Sequence, residues 1–235
     1  ISLFPYLEKE IEKIHNPNPK TNPKTKPEPS NPIEIPTDFL KETWESPGSS
    51  FQNRNHADAL KFKVPNNFKI VEVDKLKTGN PIYSSPTFGP DGLMAVGSTD
   101  KSIYFYKHNP QTHKIELLEK YKTGGWVRSS PAFGPNGLMA VGSNDNHIYF
   151  FKHEPNTHKF EFLEKHKMGS AVRSSPAFGP DGLIAVGADD KHVYFFKHNP
   201  HTQKIEFLDR KETGDWVYSS PAFGPDGLIA VGSED

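Results

Sequence analysis

Ser-Ser-Pro stands four times in this chain at a fixed interval of 45 residues: Ser84-Ser85-Pro86, Ser129-Ser130-Pro131, Ser174-Ser175-Pro176 and Ser219-Ser220-Pro221. Asp100, Asp145, Asp190 and Asp235 keep the same period, as do Val96-Gly97-Ser98, Val141-Gly142-Ser143, Val186-Gly187-Ala188 and Val231-Gly232-Ser233. A period of that length identifies one supersecondary unit used repeatedly, which buries its apolar faces against its neighbours. Within a unit, VRSSPAF leads into Gly-Pro-Asn-Gly, a turn sequence in which proline presets φ and glycine accepts positive φ. The run Leu138 to Gly142 is continuously apolar, as in a strand covered on both faces, and Ile148 to Phe151 is similar but more aromatic. Lys159 to Lys165 nearly alternates apolar with charged residues, the pattern of a half-exposed outer strand. Polarity thus rises outward along the unit, which predicts an all-β fold: a β-propeller of four-stranded antiparallel blades.

The two ends predict how the ring closes. The fourth copy stops at Asp235 after its second strand, while Ala59 to Lys63 matches the third strand and Phe68 to Lys77 the outer one. If these N-terminal strands complete the last blade (59–79 with 216–235), residues 59–235 number 177 against 180 for four full copies. The expectation is a closed four-bladed propeller, because an open arc would leave an apolar strand edge bare at 228–233. An eight-bladed ring from two chains, and a piece of a longer propeller, rank second and third.

Residues 17–36 hold seven prolines and should be extended, reaching about 60 Å at ~3.1 Å per residue. Residues 16–58 therefore read as a Pro-rich linker and lead-in. Ahead of it, Leu3, Phe4, Leu7, Ile11 and Ile14 share one helical face, predicting a short amphipathic helix over 1–15 that docks on something: a partner, a second copy of the chain or its own propeller.

The units SSPAFGPDGLIAVGSED and HVYFFK resemble the PQQ-like (quinoprotein-like) β-propeller repeat over roughly three quarters of the chain. Ser46 to Ala59 is similar, more weakly, to the lead-in such proteins carry. Repeats of that family usually close the fourth strand with a docking tryptophan, whereas here the region reads LLEKYKTG, FLEKHKMG and FLDRKETG, and Trp126 and Trp216 follow the Thr-Gly turn instead. Locking between blades then falls to Phe88, Phe133, Phe178, Phe223 and the aromatic third strands. The resemblance implies either a quinoprotein dehydrogenase or a non-catalytic scaffold, and an extracytoplasmic (periplasmic or secreted) bacterial protein. The chain has no cysteine for the vicinal disulfide that such dehydrogenases commonly carry, and a four-bladed ring has little room for a tricyclic quinone. Scaffold is therefore the expected type, with no cofactor.

Composition and patterning point the same way. A formal net charge of −1 supplies no field to gather nucleic acid, and no apolar run approaches the ~18 residues of a membrane span. No serine has a patterned His and Asp set, so no catalytic residue is expected. His108, His153 and His198 recur at the blade period, too far apart for one ion to bridge, and read as solvated hairpin histidines; no metal site is expected. Each Asp of the series should bond backbone amides at its turn.

Variation among the copies is the better functional clue. It clusters at the start of the innermost strand, as Asn80, Gly125, Ser170, Asp215; Pro81, Trp126, Ala171, Trp216; and Tyr83, Arg128, Arg173, Tyr218. In a propeller these ring one mouth of the central channel, beside turns holding Asn144, His147, Asp189 and His192. Tyr83, Trp126, Arg128, Arg173, Trp216 and Tyr218 are thus the candidate partner-binding residues, of the types that dominate recognition surfaces. The competing expectation is that the tryptophans plug the axis and the arginines pair with Asp215 or Glu234. The leading function is a protein-interaction scaffold engaging a protein partner through this face and the N-terminal helix, with room for a homo-oligomer. A small-ligand or glycan-binding propeller comes second and a quinoprotein-like oxidoreductase third.

Overall fold

The computed structural model describes residues 2–3, 72, 74–155, 157, 159–224 and 228–235. Strands β1 (Ser2–Leu3) and β2 (Asp74–Lys75) precede three complete four-stranded antiparallel sheets. The first is β3 (Thr87–Phe88), β4 (Leu93–Ser98), β5 (Ser102–Asn109) and β6 (Lys114–Lys122). The second repeats it as β7 (Ala132–Phe133), β8 (Leu138–Ser143), β9 (His147–Glu154) and β10 (Lys159–Lys167). The third is β11 (Ala177–Phe178), β12 (Leu183–Ala188), β13 (His192–Asn199) and β14 (Lys204–Glu212), and a half-unit follows from β15 (Ala222–Phe223) and β16 (Ile229–Ala230). Strand order equals chain order in every sheet, the result expected when short turns join consecutive strands.

The continuous apolar runs are explained by cores lying on both faces of each sheet. Leu93, Ala95, Ile103 and Phe105 face the second sheet and pack with Phe133, Met139, Val141, Tyr149 and Phe151. Met94, Val96, Tyr104 and Tyr106 face the other way, with Leu76 and Ile82 against them. Exposure is concentrated on the last strand of each sheet, where β10 leaves most of its residues at least partly open. The near-alternation there is broken by a β-bulge at the same place in all three sheets, between Phe162 and Glu164 in the second.

Ser-Ser-Pro works as a two-way clasp. The first serine replaces ladder bonds of the very short inner strand: Ser129 Oγ accepts from Gly142 N at 2.9 Å, and Ser84 and Ser174 do the same for Gly97 and Gly187. The second reaches the preceding sheet, as Ser130 Oγ accepts from Ser85 N at 2.8 Å and Ser175 Oγ from Ser130 N at 2.9 Å. The periodic Asp bonds its turn and more: Asp145 Oδ2 accepts from Tyr149 OH at 2.5 Å and from Gly124 N at 2.7 Å, tying the incoming connection to the sheet.

Phe133, Phe178 and Phe223 lock neighbours as expected, since Cβ atoms on Gly89, Gly134 and Gly179 would lie 2.7, 2.4 and 2.5 Å from their rings, whereas Phe88 is half exposed. Likewise a Cβ on Gly142 would fall 2.5 Å from Val172 Cγ1 and 2.6 Å from Val172 O, so only glycine admits the next sheet.

Two expectations are revised. His153 and His198 are buried rather than solvated, because the third strand turns them inward; His153 lies 5.1 Å from the Phe160 ring. Ser2–Leu3 is extended and pairs antiparallel with Asp74–Lys75, not the opening of a helix, because a strand offers unpaired N–H and C=O groups to any chain beside it. Phe4, Leu7, Ile11, Ile14, the 16–58 linker and the strand matched to Ala59–Lys63 lie outside the described residues. Ring closure is not drawn by what is described: β15 and β16 make a two-stranded sheet, and the serine chain runs Ser85, Ser130, Ser175, Ser220 without a return, among the described residues, from Ser220 to Ser85.

Two measurements probe this packing. Gly142→Ala should lose about 1–3 kcal/mol in urea unfolding, the cost of overfilling a close-packed contact. Burial holds His108 and His198 below the ordinary histidine value of 6.5. The folded state then binds fewer protons than the unfolded one, so stability should fall as pH drops below about 6.5, and His198→Gln should flatten the decline between pH 7 and 5.

Candidate functional site

The connection between sheets presents the variable residues. In the second unit Thr123 Oγ1 donates to Gly125 O at 2.8 Å or Lys101 O at 3.0 Å, fixing the Thr-Gly turn. Trp126 O then accepts from Asn144 N at 2.8 Å and Val127 N donates to Ser98 O at 3.1 Å, so the segment bridges two sheets as an extended strip. Alternation along that strip buries Val127 completely and turns Trp126 and Arg128 to the other side. The last unit repeats the arrangement with Thr213, Val217 and a Trp216 O that accepts from Glu234 N.

All six candidate residues fall into two neighbouring groups. Arg128 lies 5.2 Å over the Tyr83 ring and 4.8 Å over Trp126, a cation held between two aromatic faces. Arg173 lies 5.1 Å over Tyr218, donates from Nη1 to its hydroxyl at 3.2 Å, and pairs through Nε with Asp189 Oδ2 at 3.1 Å. Trp216 stands 5.8 Å from Tyr218. Tyr83 is 68% exposed and Trp126 and Trp216 are 45% and 46% exposed, so the tryptophans keep an open face rather than plugging an axis. Nor do the arginines pair with Asp215 or Glu234. Asp215 is engaged by Lys191 at 3.3 Å, and Arg173 takes Asp189, which lies one turn nearer on its own sheet.

Asp189 links the groups electrically. Its side chain is only 8% exposed, and burial pushes its carboxyl above the usual range. Arg173 and Arg128 oppose that rise while Asp190 and Glu234 add to it. Asp189 Oδ1, Asn144 Oδ1, Arg128 Nε and Arg173 Nε are buried without a hydrogen-bond partner, the last meeting Asp189 as an ion pair, which leaves two acceptors and two donors without hydrogen bonds at this face. The arrangement suits recognition: aromatic area, a pre-oriented guanidinium and unmet polar groups.

Another depression lies elsewhere. It encloses about 800 Å³ at the opposite end of the strands, lined by Pro90, Pro135, Lys152, His153 and Glu161. It is formed by the Gly-Pro-x-Gly turns, with no aromatic cluster comparable to the Trp126 face. Periodicity does not reveal Asp189 as the partner of Arg173; only its departure from Thr99 and Asn144 at the same register hints at it. Among the described residues no group of three or more His, Asp or Glu could hold a metal ion, and no helix is long and apolar enough to cross a membrane.

Serial four-stranded sheets joined by these connections define a β-propeller-like, all-β protein. A chain of the mitotic checkpoint complex is similar in structure, with a TM-score of 0.53 and 16% identity over 70% of this chain and 48% of that one. Sqt1 of Saccharomyces cerevisiae aligns at a TM-score of 0.49 and 12% identity over 58% of this chain and 36% of its own. This chain spans about half or less of the length of either. No family model and no curated protein matches the sequence.

Removing the Arg173 guanidinium leaves Asp189 buried and unbalanced. Arg173→Met should therefore cost roughly 1–3 kcal/mol, less than a fully buried pair because the guanidinium is partly solvated, whereas Arg128→Met should cost under about 1 kcal/mol. Urea midpoints of the two variants check the order.

Proposed function

We propose that this chain is a non-enzymatic interaction scaffold whose Tyr83, Trp126, Arg128, Arg173, Trp216 and Tyr218 face binds a protein partner. The observation that carries the reading is Arg128, set over the rings of both Tyr83 and Trp126, with Tyr83 largely and Trp126 about half open to solvent. Exposed tryptophan, tyrosine and arginine around a desolvated centre are what binding hot spots are made of. The propeller-like neighbour in the mitotic checkpoint complex is consistent with a fold that serves assembly. PQQ-like membership and an extracytoplasmic location rest on the SSPAF and AVGSED units alone.

The same proposal includes ring closure by the N-terminal strands. Asp74 Oδ2 accepts from Ile115 N at 3.0 Å on the first sheet, as Glu164 Oε1 accepts from Ile205 N at 2.6 Å on the third. Asp74 thereby acts as the outer strand of a preceding blade. Leu228, 67% exposed where its counterparts Leu93 and Leu138 are fully buried, marks the edge which that blade's third strand, 59–63, would cover. A single-chain ring requires sedimentation as a 26.4 kDa monomer, and a stable dimer would favour the eight-bladed alternative.

For the partner face, the intact chain serves as bait beside Trp126→Ala with Trp216→Ala, and Leu117→Ala as an exposed outer-strand control. One stoichiometric partner, retained by the control and lost by the double variant, is expected. Retention by the double variant would refute the assignment.

A further inference from the structure

The repeat allows one junction between sheets to be laid on the next, and at one position they differ in a way that opens space. Between the first and second sheets, Tyr121 lies among three rings of the second. It stacks on Phe162 at 5.3 Å and 19°, meets Phe151 edge-on at 4.9 Å and 79°, and stands 6.0 Å from Tyr149. Forty-five residues onward the three rings recur as Phe207, Phe196 and Tyr194, but the residue matching Tyr121 is His166.

The shorter imidazole turns toward Phe196 at 5.1 Å and Phe150 at 6.0 Å, with its Nε2 3.1 Å from Glu164 Oε2. A groove of about 380 Å³ is lined by His166, Lys167, Tyr194, Phe196, Phe207 and Arg210. Phe207 is half exposed, while Tyr194 and Phe196 are buried beneath it. The charged side chains lining the groove are Arg210, 5.9 Å over the Tyr194 ring with Nη1 3.4 Å from its hydroxyl, and the exposed Lys167; outside the lining, Asp190 accepts from the Tyr194 hydroxyl and lies with Glu212 within electrostatic reach of Arg210, and the Glu164 carboxylate is engaged by Ile205 N and His166.

We propose that this groove binds a small aromatic anion, its ring entering where the neighbouring junction holds the Tyr121 phenol and its negative group meeting Arg210 and Lys167. The aromatic preference follows from three rings already set for stacked and edge-on contact. The preference for an anion follows from the groove's lining, in which Lys167 and Arg210 are the charged residues and no carboxylate takes part. A cation would be repelled, and an aliphatic anion would leave the rings uncovered. The site is independent of Tyr83, Trp126 and Arg128.

The test uses the intact chain and phenylacetate, followed by ligand-observed saturation-transfer NMR, with acetate and 2-phenylethanol as separate arms. Binding at a dissociation constant of about 1 mM is expected for a ligand of that size. Acetate should show no saturable effect and phenylethanol a weaker one. His166→Tyr should abolish phenylacetate binding without lowering the thermal midpoint, because the same residue fits the same three rings one junction earlier. Arg210→Gln, at an exposed position, should weaken phenylacetate about tenfold and leave phenylethanol unchanged. Tyr121→His should open the counterpart groove and raise the stoichiometry from one toward two. Equal binding of acetate and phenylacetate, undiminished binding in His166→Tyr, or no effect of Arg210→Gln would each overturn the proposal.

Discussion

Everything in this molecule depends on how closely one sheet can approach the next. A four-stranded sheet of about 40 residues with apolar side chains on both faces has no stable existence alone, and its free energy of folding is realised only at junctions. The approach is limited by backbone: Val172 sits against Gly142 and Phe178 against Gly134, at separations that any Cβ would close. Serine finishes the contact, since Ser130 Oγ serves the preceding sheet while Ser129 Oγ replaces ladder bonds in its own. Glycine, valine, phenylalanine and the two serines hold their period for one reason, which is that they all lie on this junction.

That is why so much of the architecture was legible in the sequence. The continuous run Leu138 to Gly142 has a core on either face, the alternating run Lys159 to Lys165 lies outermost, and the Asp of the series closes its turn while also capturing Gly124 N. Where the pattern misled, a local rule met a tertiary contact. His153 looks like a hairpin histidine because it stands beside Glu154 and Pro155, yet strand alternation aims it at Phe160. The bulge between Phe162 and Glu164 is invisible in a string of letters, since one extra residue shifts the phase without changing the kinds of residue used. Leu3 shares a helical face with Leu7 and Ile14, but periodicity cannot register that β2 offers it a strand partner.

The candidate site was legible through the opposite signal. Positions that hold the junction cannot vary, so differences between copies collect away from it. Tyr83, Arg128, Arg173 and Tyr218 occupy one register, and the structure joins them across sheets as Tyr83 with Arg128 and Arg173 with Tyr218. The sequence pattern could not show that Asp189, rather than Asp215 or Glu234, neutralises Arg173. That outcome depends on which carboxylate the turn after β12 places within reach. The replacement of Tyr121 by His166 belongs to the same class of difference. It is not legible in the sequence, because a lone residue on an outer strand reads as surface until the three rings facing it are in view.

The two arginines, alike in register, are held by different physics. Arg128 lies over aromatic faces and reaches Asp189 only at longer electrostatic range, with no ion pair of its own among the described residues; Arg173 is fixed by a buried carboxylate and by the phenol of Tyr218 from the half-unit β15–β16. The first arrangement leaves a guanidinium pre-oriented and electrically available, since stacking satisfies its flat face but none of its N–H edge. The second spends the charge on structure and couples the third sheet to the chain's last strands. One arginine is therefore suited to meeting a ligand and the other to holding the surface on which that meeting takes place. Because Tyr218 comes from the half-unit, whatever completes that unit along the edge at Leu228 also sets how firmly the Trp216 side of the face is held.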